Sequence, residues 1–198
     1  DKYYNSILLI EKDKIQYFDK KILVPFGEFL PLRNFLFFMK NISGDIDFQE
    51  GHRDRIFTTK NKLNLLPVIC YEIIFDSIFK NINEKQIDLV INITNDSWFG
   101  TKIGPYQHFY ISRVKSLITN KPLLRISNNG ISAIIDNNGK ILKFSKLNEI
   151  SEISYNLEIK KNISYIFFHN LIFYYLILIF LIILFKSKKI KQWFITSI

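Results

Sequence analysis

Apolar and polar positions alternate from Tyr4 and merge into an apolar run ending at Ile10. Glu11-Lys12-Asp13 turns the chain and Lys14–Phe18 returns, which predicts a β-hairpin. Pro25 and Gly27 make Lys20–Leu30 a loop or strand end, and polar Ser43–Asp54 reads as a surface loop. Strands are expected at Ile56–Thr59, Leu63–Cys70, Leu89–Ile93, Leu123–Ile126 and Ser132–Ile135. Asn137-Asn138-Gly139 then turns into a return strand, Ile141–Phe144. Helical periodicity covers Ile73–Ile82. It recurs over Gln107–Thr119, where Phe109, Ile111, Val114 and Leu117-Ile118 would face inward and Arg113 and Lys115 outward. Strands mixed with helices argue for a layered α/β or α+β domain.

The pattern changes in kind near the end. Tyr165–Phe185 carries no formal charge and is broken only by His169 and Asn170. At ~1.5 Å per residue such a helix spans roughly 30 Å, the thickness of a bilayer core. Lys186, Lys188, Lys189 and Lys191 follow at once, which puts the C-terminus on the cytoplasmic side. Residues 1–160 then form a domain outside the cytoplasm, 165–185 a transmembrane helix and 186–198 a basic cytoplasmic tail.

The 198 residues suffice for a domain with a real core, and their net charge of +9 suits an anionic partner such as a membrane surface. No nucleic-acid-binding motif accompanies the charge, so no nucleic-acid partner is expected. The excess lysine also travels with a general richness in Ile, Asn and Phe. A single cysteine excludes an internal disulfide, and His52, His108 and His169 lie too far apart for metal-ligand spacing, so no metal is expected. The sequence opens at Asp1 inside strand-like sequence, and an upstream region is expected.

Cys70 is that single cysteine, at the end of Leu65-Leu66-Pro67-Val68-Ile69 and directly before Tyr71-Glu72. A strand that stops at a cysteine can present the thiol as a nucleophile, although a small buried hydrophobe fits the same place. Three other segments bear on the choice: Lys20-Lys21-Ile22-Leu23-Val24-Pro25-Phe26-Gly27-Glu28; Asn95-Asp96-Ser97-Trp98-Phe99-Gly100, followed by Gly104-Pro105-Tyr106-Gln107-His108; and Arg125-Ile126-Ser127-Asn128-Asn129-Gly130. Together with Val68–Glu72 they resemble the nitrilase, or carbon–nitrogen hydrolase, superfamily, and within it the membrane-bound apolipoprotein N-acyltransferase branch.

The resemblance implies an α/β, four-layer αββα sandwich, incomplete at its N-terminus and followed by one transmembrane helix. It implies a Glu-Lys-Cys triad in which Cys70 is the nucleophile and Lys20, rather than Lys21, the lysine. Glu28 is carried over as a required carboxylate, with Tyr71 and Glu72 supporting the oxyanion and Phe26, Phe37, Phe38, Asn95 and Trp98 lining the substrate site. No residue before Lys20 matches the triad glutamate; truncation and degeneration both account for that. The implied reaction moves an acyl chain from a phospholipid through a Cys70 thioester to the α-amine of a diacylglyceryl-modified apolipoprotein, in the bacterial inner membrane with the domain in the periplasm. No cofactor is implied. A membrane-tethered amidase and a non-catalytic anchored binding domain stand as alternatives.

A thiol with an ordinary pKa near ~8.5 is mostly protonated at neutral pH, so an adjacent lysine ammonium and the start of a following helix would favour the thiolate. Trp98 either lines a pocket or packs beneath its loop. The apolar Phe35–Met39 run is either a lipid-contacting lid or ordinary core.

Overall fold

The computed structural model describes residues 2–36, 46–52, 55–80, 86–159 and 172–183. The chain divides into two compact units, Asp1–Asn162 and Ile163–Ile198.

In the first unit, β1 (Ser6–Glu11) and β2 (Lys14–Asp19) form the antiparallel hairpin, with Leu8 opposite Tyr17 and Ile10 opposite Ile15. A six-stranded sheet follows in the order β3 (Phe57–Thr58), β4 (Asn64–Ile69), β5 (Leu89–Thr94), β6 (Leu123–Ser127), β7 (Ala133–Ile135), β8 (Ile141–Phe144). Its centre, β4-β5-β6, is parallel and its flanks are antiparallel.

The central strand β4 buries side chains on both faces, as its unbroken apolar run requires. Leu65 and Ile69 join Ile7, Phe18 and Phe57 in a core against the hairpin. Leu66 and Val68 point the other way, into a core with Ile73, Val90, Leu123 and Ile135. Pro67 is tolerated in mid-strand because β3 pairs with β4 only at Asn64 and Leu65. Beyond that point the Arg55 guanidinium reaches the Pro67 carbonyl, at 3.5 Å. Among the described residues the unit therefore has three layers: hairpin, central sheet and a helical layer.

That helical layer departs from the periodicity twice. The helix expected over Ile73–Ile82 is instead two 3₁₀ turns, Cys70–Ile74 and Asp76–Phe79, separated by extended backbone at Phe75 (φ −85°, ψ 119°). The end of the expected span, residues 81–82, lies outside the described residues.

The second helix, α1 (Gly104–Thr119), starts with Pro105 in its first turn, where a missing N–H costs no bond. It ends at Asn120, whose left-handed conformation (φ 53°) lets its N–H reach back to Leu117 O and Ser116 O. Its most buried face is polar: His108, Ser112, Lys115, Ser116 and Thr119 are buried, while Leu117 and Ile118 are exposed and Phe109 packs against the core as expected. Arg113 faces out as expected, but Lys115 does not: it pairs with Asp76 and lies 5.3 Å from the Phe79 ring. The cause is Arg125, fully buried beneath the helix, which requires acceptors rather than methyl groups.

In the second unit, residues 172–183 are helical and carry no charge. No helix among the described residues is long and apolar enough to cross a membrane. The rest of the 165–185 span and the lysine tail lie outside the described residues.

Candidate active site

The elbow at the end of β4 sets the site. Cys70 takes a left-handed backbone (φ 50°) directly after the strand, a conformation costing on the order of 1–3 kcal/mol for a residue with a Cβ. Strain of that size persists only where neighbours enforce it. Glu72 does so from within the following turn: its carboxylate accepts from Ile69 N at 2.9 Å and from Arg55 through two contacts at 2.7 and 2.9 Å. The same carboxylate accepts from Lys21 N (2.9 Å) and Ile22 N (3.1 Å), which ties the Cys70 elbow to the Lys20 loop. Glu72 and Arg55 are both buried, and the Arg55 guanidinium stacks 4.4 Å over Phe18.

The Lys20 loop builds the second part. Lys20 is 1% exposed, and its ammonium meets Glu28 Oε2 at 2.6 Å. Glu28 is held on each oxygen, Oε2 by Val24 N at 2.8 Å and Oε1 by Asn5 Nδ2 at 2.7 Å. Residues 46–51 stitch alongside: Phe48 N donates to Glu28 O and Gly51 N to Lys20 O. Arg33 pairs with Asp47, whose Oδ1 also accepts from Leu30 N, at 2.9 Å. Lys20 is thus a buried side chain held against the Glu28 carboxylate.

Lys20, Glu28 and Cys70 converge on one cavity of about 750 Å3. Its walls are mainly apolar, from Ile7, Leu8, Phe48, Ile93, Trp98 and Phe99, with Tyr71, Asn95 and Asn128 among the polar groups. Cys70 Sγ lies 3.9 Å from the Asn95 carbonyl. Trp98 is 71% exposed at this cavity, so it does not pack beneath its loop.

A polar network stands behind the cavity. Asp96, fully buried, accepts from Arg125 at 2.7 and 3.0 Å, from Ser127 Oγ at 3.0 Å, and lies 2.9 Å from His108 Nδ1. Burial alone would push its carboxyl up. The His108 hydrogen bond and the Arg125 charge outweigh that and hold its pKa at about 2. Gly130 closes against this pair, since a Cβ there would stand 1.9 Å from Asp96 Oδ2. Among the described residues no group of three His, Cys, Asp or Glu side chains could hold a metal ion.

The buried Lys20–Glu28 pair and the left-handed Cys70 thus line the same cavity. Residues 1–158 match the carbon–nitrogen hydrolase family model. The chain belongs to the carbon–nitrogen hydrolase family. It is 45% identical over 152 residues to the apolipoprotein N-acyltransferase of Rickettsia prowazekii (strain Madrid E), covering 76% of this chain and 30% of that protein. With the enzyme of the same name from Haemophilus ducreyi (strain 35000HP / ATCC 700724) it shares 33% identity over 204 residues, 96% of this chain and 40% of that one. The chain thus spans well under half the length of these curated relatives. Among solved structures, a carbon–nitrogen hydrolase from Helicobacter pylori G27 superposes with a TM-score of 0.59 at 16% identity, over 75% of this chain and 55% of the other. Saccharomyces cerevisiae Nit3 gives 0.53 at 17% identity, over 74% and 51%. At those identities the likeness is one of fold.

Within this carbon–nitrogen hydrolase site, the residues read from sequence take different places. Lys20, Glu28, Cys70, Tyr71, Asn95 and Trp98 line the cavity, and Lys21 does not. Glu72 points into the core and acts as a clamp, with no access to the cavity. Phe26 is 42% exposed in a left-handed turn (φ 64°) outside the cavity lining. Phe37 and Phe38 lie outside the described residues, and Phe35, at the start of that run, is exposed. The helix start expected to favour the thiolate is a five-residue 3₁₀ turn.

Sequence reasoning missed Asn5, Arg55 and Asn92, and gave no role to Asp96, His108 and Arg125, although they stand in the quoted segments. For Arg125 a signal existed: an arginine inside Leu123-Leu124-Arg125-Ile126 is a cation in an apolar strand, which demands a buried anion. Asn5 and Arg55 carried none, because long-range partners leave no local pattern.

Proposed function

We propose that this chain carries the thiol chemistry of an N-acyltransferase that modifies lipoproteins at a bacterial inner membrane. The observation that carries the reading is the convergence of Cys70, Lys20 and Glu28 on one largely apolar cavity, in a chain similar to enzymes named apolipoprotein N-acyltransferase.

The Cys70 thiolate attacks the ester carbonyl of a phospholipid. A tetrahedral oxyanion forms beside the Lys20 ammonium, and its collapse expels the lysophospholipid and leaves an acyl thioester on Sγ. The free α-amine of a diacylglyceryl-modified N-terminal cysteine then attacks the thioester, forming the amide and restoring the thiolate. Glu28 holds Lys20 on the cavity wall by the 2.6 Å pair, so the positive charge is in place before charge develops on the substrate. The apolar walls suit an acyl chain and exclude the water that would hydrolyse the thioester. Thioester formation takes up one proton, which leaves on the lysophospholipid hydroxyl, and amide formation releases one proton from the amine as the thiolate returns.

The test is mass spectrometry of the full-length protein after exposure to phospholipid vesicles. A mass gain of one acyl group at Cys70, absent in Cys70→Ser, is expected, together with loss of acyl transfer in that variant. Undiminished acyl transfer by Cys70→Ala overturns the reading.

A further inference from the structure

The left-handed backbone at Cys70 is held from two sides. Glu72 is one. The other is Asn92, fully buried on β5, whose side-chain amide donates to Val68 O at 3.1 Å and to Cys70 O at 3.3 Å. Both N–H bonds of that amide are therefore spent on the backbone either side of Ile69. Its oxygen accepts from Arg125 Nη1 at 2.6 Å, which leaves only one orientation of the amide that satisfies every partner.

Arg125 is in turn fixed by every donor. Nη1 also reaches Ser112 Oγ at 2.9 Å, Nη2 reaches Asp96, and Nε reaches Ile131 O at 3.2 Å. An unbroken path of hydrogen bonds thus runs from Asp96 through Arg125 and Asn92 to the carbonyl of the reactive cysteine. Burial pushes Arg125 below its ordinary value, while the Asp96 carboxylate pulls it back up.

We propose that Asn92 and Arg125 are positioning residues for the nucleophile: Arg125 orients the Asn92 amide, and that amide locks the left-handed elbow that aims Cys70 Sγ into the cavity. Neither side chain lines the cavity, so the pair acts on the thiol only through the backbone. The proposal deepens the acyltransferase reading and rests on it for its catalytic consequence, but its primary measure does not use that reaction.

Four variants decide it in the full-length protein: Asn92→Asp, Asn92→Ala, Arg125→Lys and Arg125→Met. Asn92→Asp is the sharpest, because it keeps an acceptor for Arg125 and sets an oxygen against two carbonyls. Alkylation of Cys70 by iodoacetamide at fixed pH is read first, then the rate of acyl-thioester formation on phosphatidylethanolamine vesicles, with thermal melting as the control for folding. Displacing a nucleophile by ~1 Å costs about 10²-fold in rate, so Asn92→Asp is expected to lose that much in thioester formation with KM for phospholipid nearly unchanged. Iodoacetamide alkylation should change in parallel, and Arg125→Lys should recover part of what Arg125→Met loses.

Folded Asn92 variants with wild-type alkylation and thioester rates overturn the proposal. So does a loss confined to KM. If none of the four variants folds, the network is structural only and the proposal falls as well. Should Cys70→Ala retain acyl transfer, the acyltransferase reading fails, while the alkylation rates still decide whether Asn92 and Arg125 position the thiol.

Discussion

Lys20 and Lys21 are adjacent in sequence and opposite in circumstance. Lys20 is buried, bonded to Glu28 and on the cavity wall; Lys21 is half-buried, and its backbone N–H serves Glu72. Lys20→Ala should therefore remove the cation beside the thioester carbon and lose about 10²–10³-fold in kcat, as for one oxyanion donor. Lys21→Ala keeps the backbone contact and should be mild. Steady-state acyl transfer by both variants checks the ranking, and the reverse order would move the catalytic lysine by one. Asp96 gives a second residue-level prediction. Its folded pKa of about 2 lies below the ordinary 3.8, so it contributes stability that is present above pH ~4 and lost as pH falls through 2. The difference corresponds to about 2 kcal/mol. Asp96→Asn should be less stable than wild type at neutral pH, and the gap should narrow by about that amount between pH 4 and pH 2 in urea unfolding.

At the scale of elements, α1 shows where pattern and packing disagree. Its existence was legible, because Gln107–Thr119 is long and free of breakers, and the structure adds one turn in front. Its orientation was not. Periodicity assigns apolar residues to the core, but this helix covers Arg125 and Asp96, and charge satisfaction outranks a methyl contact there. The substitutions that distinguish the two orientations are simple. Leu117→Lys and Ile118→Lys sit on the exposed face and should change stability by less than about 0.5 kcal/mol. Ser112→Val, apolar but inward, takes an acceptor from a buried guanidinium and should cost about 1–3 kcal/mol. Chemical denaturation of the three variants measures this; an inward-facing Leu117 would give the opposite ranking. The strands were more legible than the helices because β4 is an unbroken apolar run buried on both faces, and β5 and β6 pair in register beside it. The turn after Cys70 was not, since Glu72 is drawn inward by Arg55, a partner far away in sequence.

For the whole molecule, the fold family and the cavity residues Lys20, Glu28 and Cys70 were readable because they lie in short segments that resemble those of a known family. The network that holds them was not, being assembled from five distant stretches of chain. From a different kind of signal, bulk hydropathy, we propose that the C-terminal apolar stretch anchors the chain in a membrane with its end in the cytoplasm. Residues 172–183 are helical and every one is apolar or aromatic. Such a helix has no polar face with which to meet water. It lies within an uncharged stretch that, taken over 165–185, would reach roughly 30 Å. The lysines that follow set the sign of the orientation, since positive flanks stay in the cytoplasm. A reporter active only in the cytoplasm should therefore work when fused after Ile198, and a reporter active only in the periplasm should work when inserted at the exposed Asn138 turn. The two carry separate weight. A C-terminal reporter that is silent in the cytoplasm would remove the anchor's orientation. A periplasmic reporter silent at Asn138 would place the Cys70 cavity on the side where newly exported lipoprotein N-termini are absent, and the acyl acceptor would have to be sought in another class of amine.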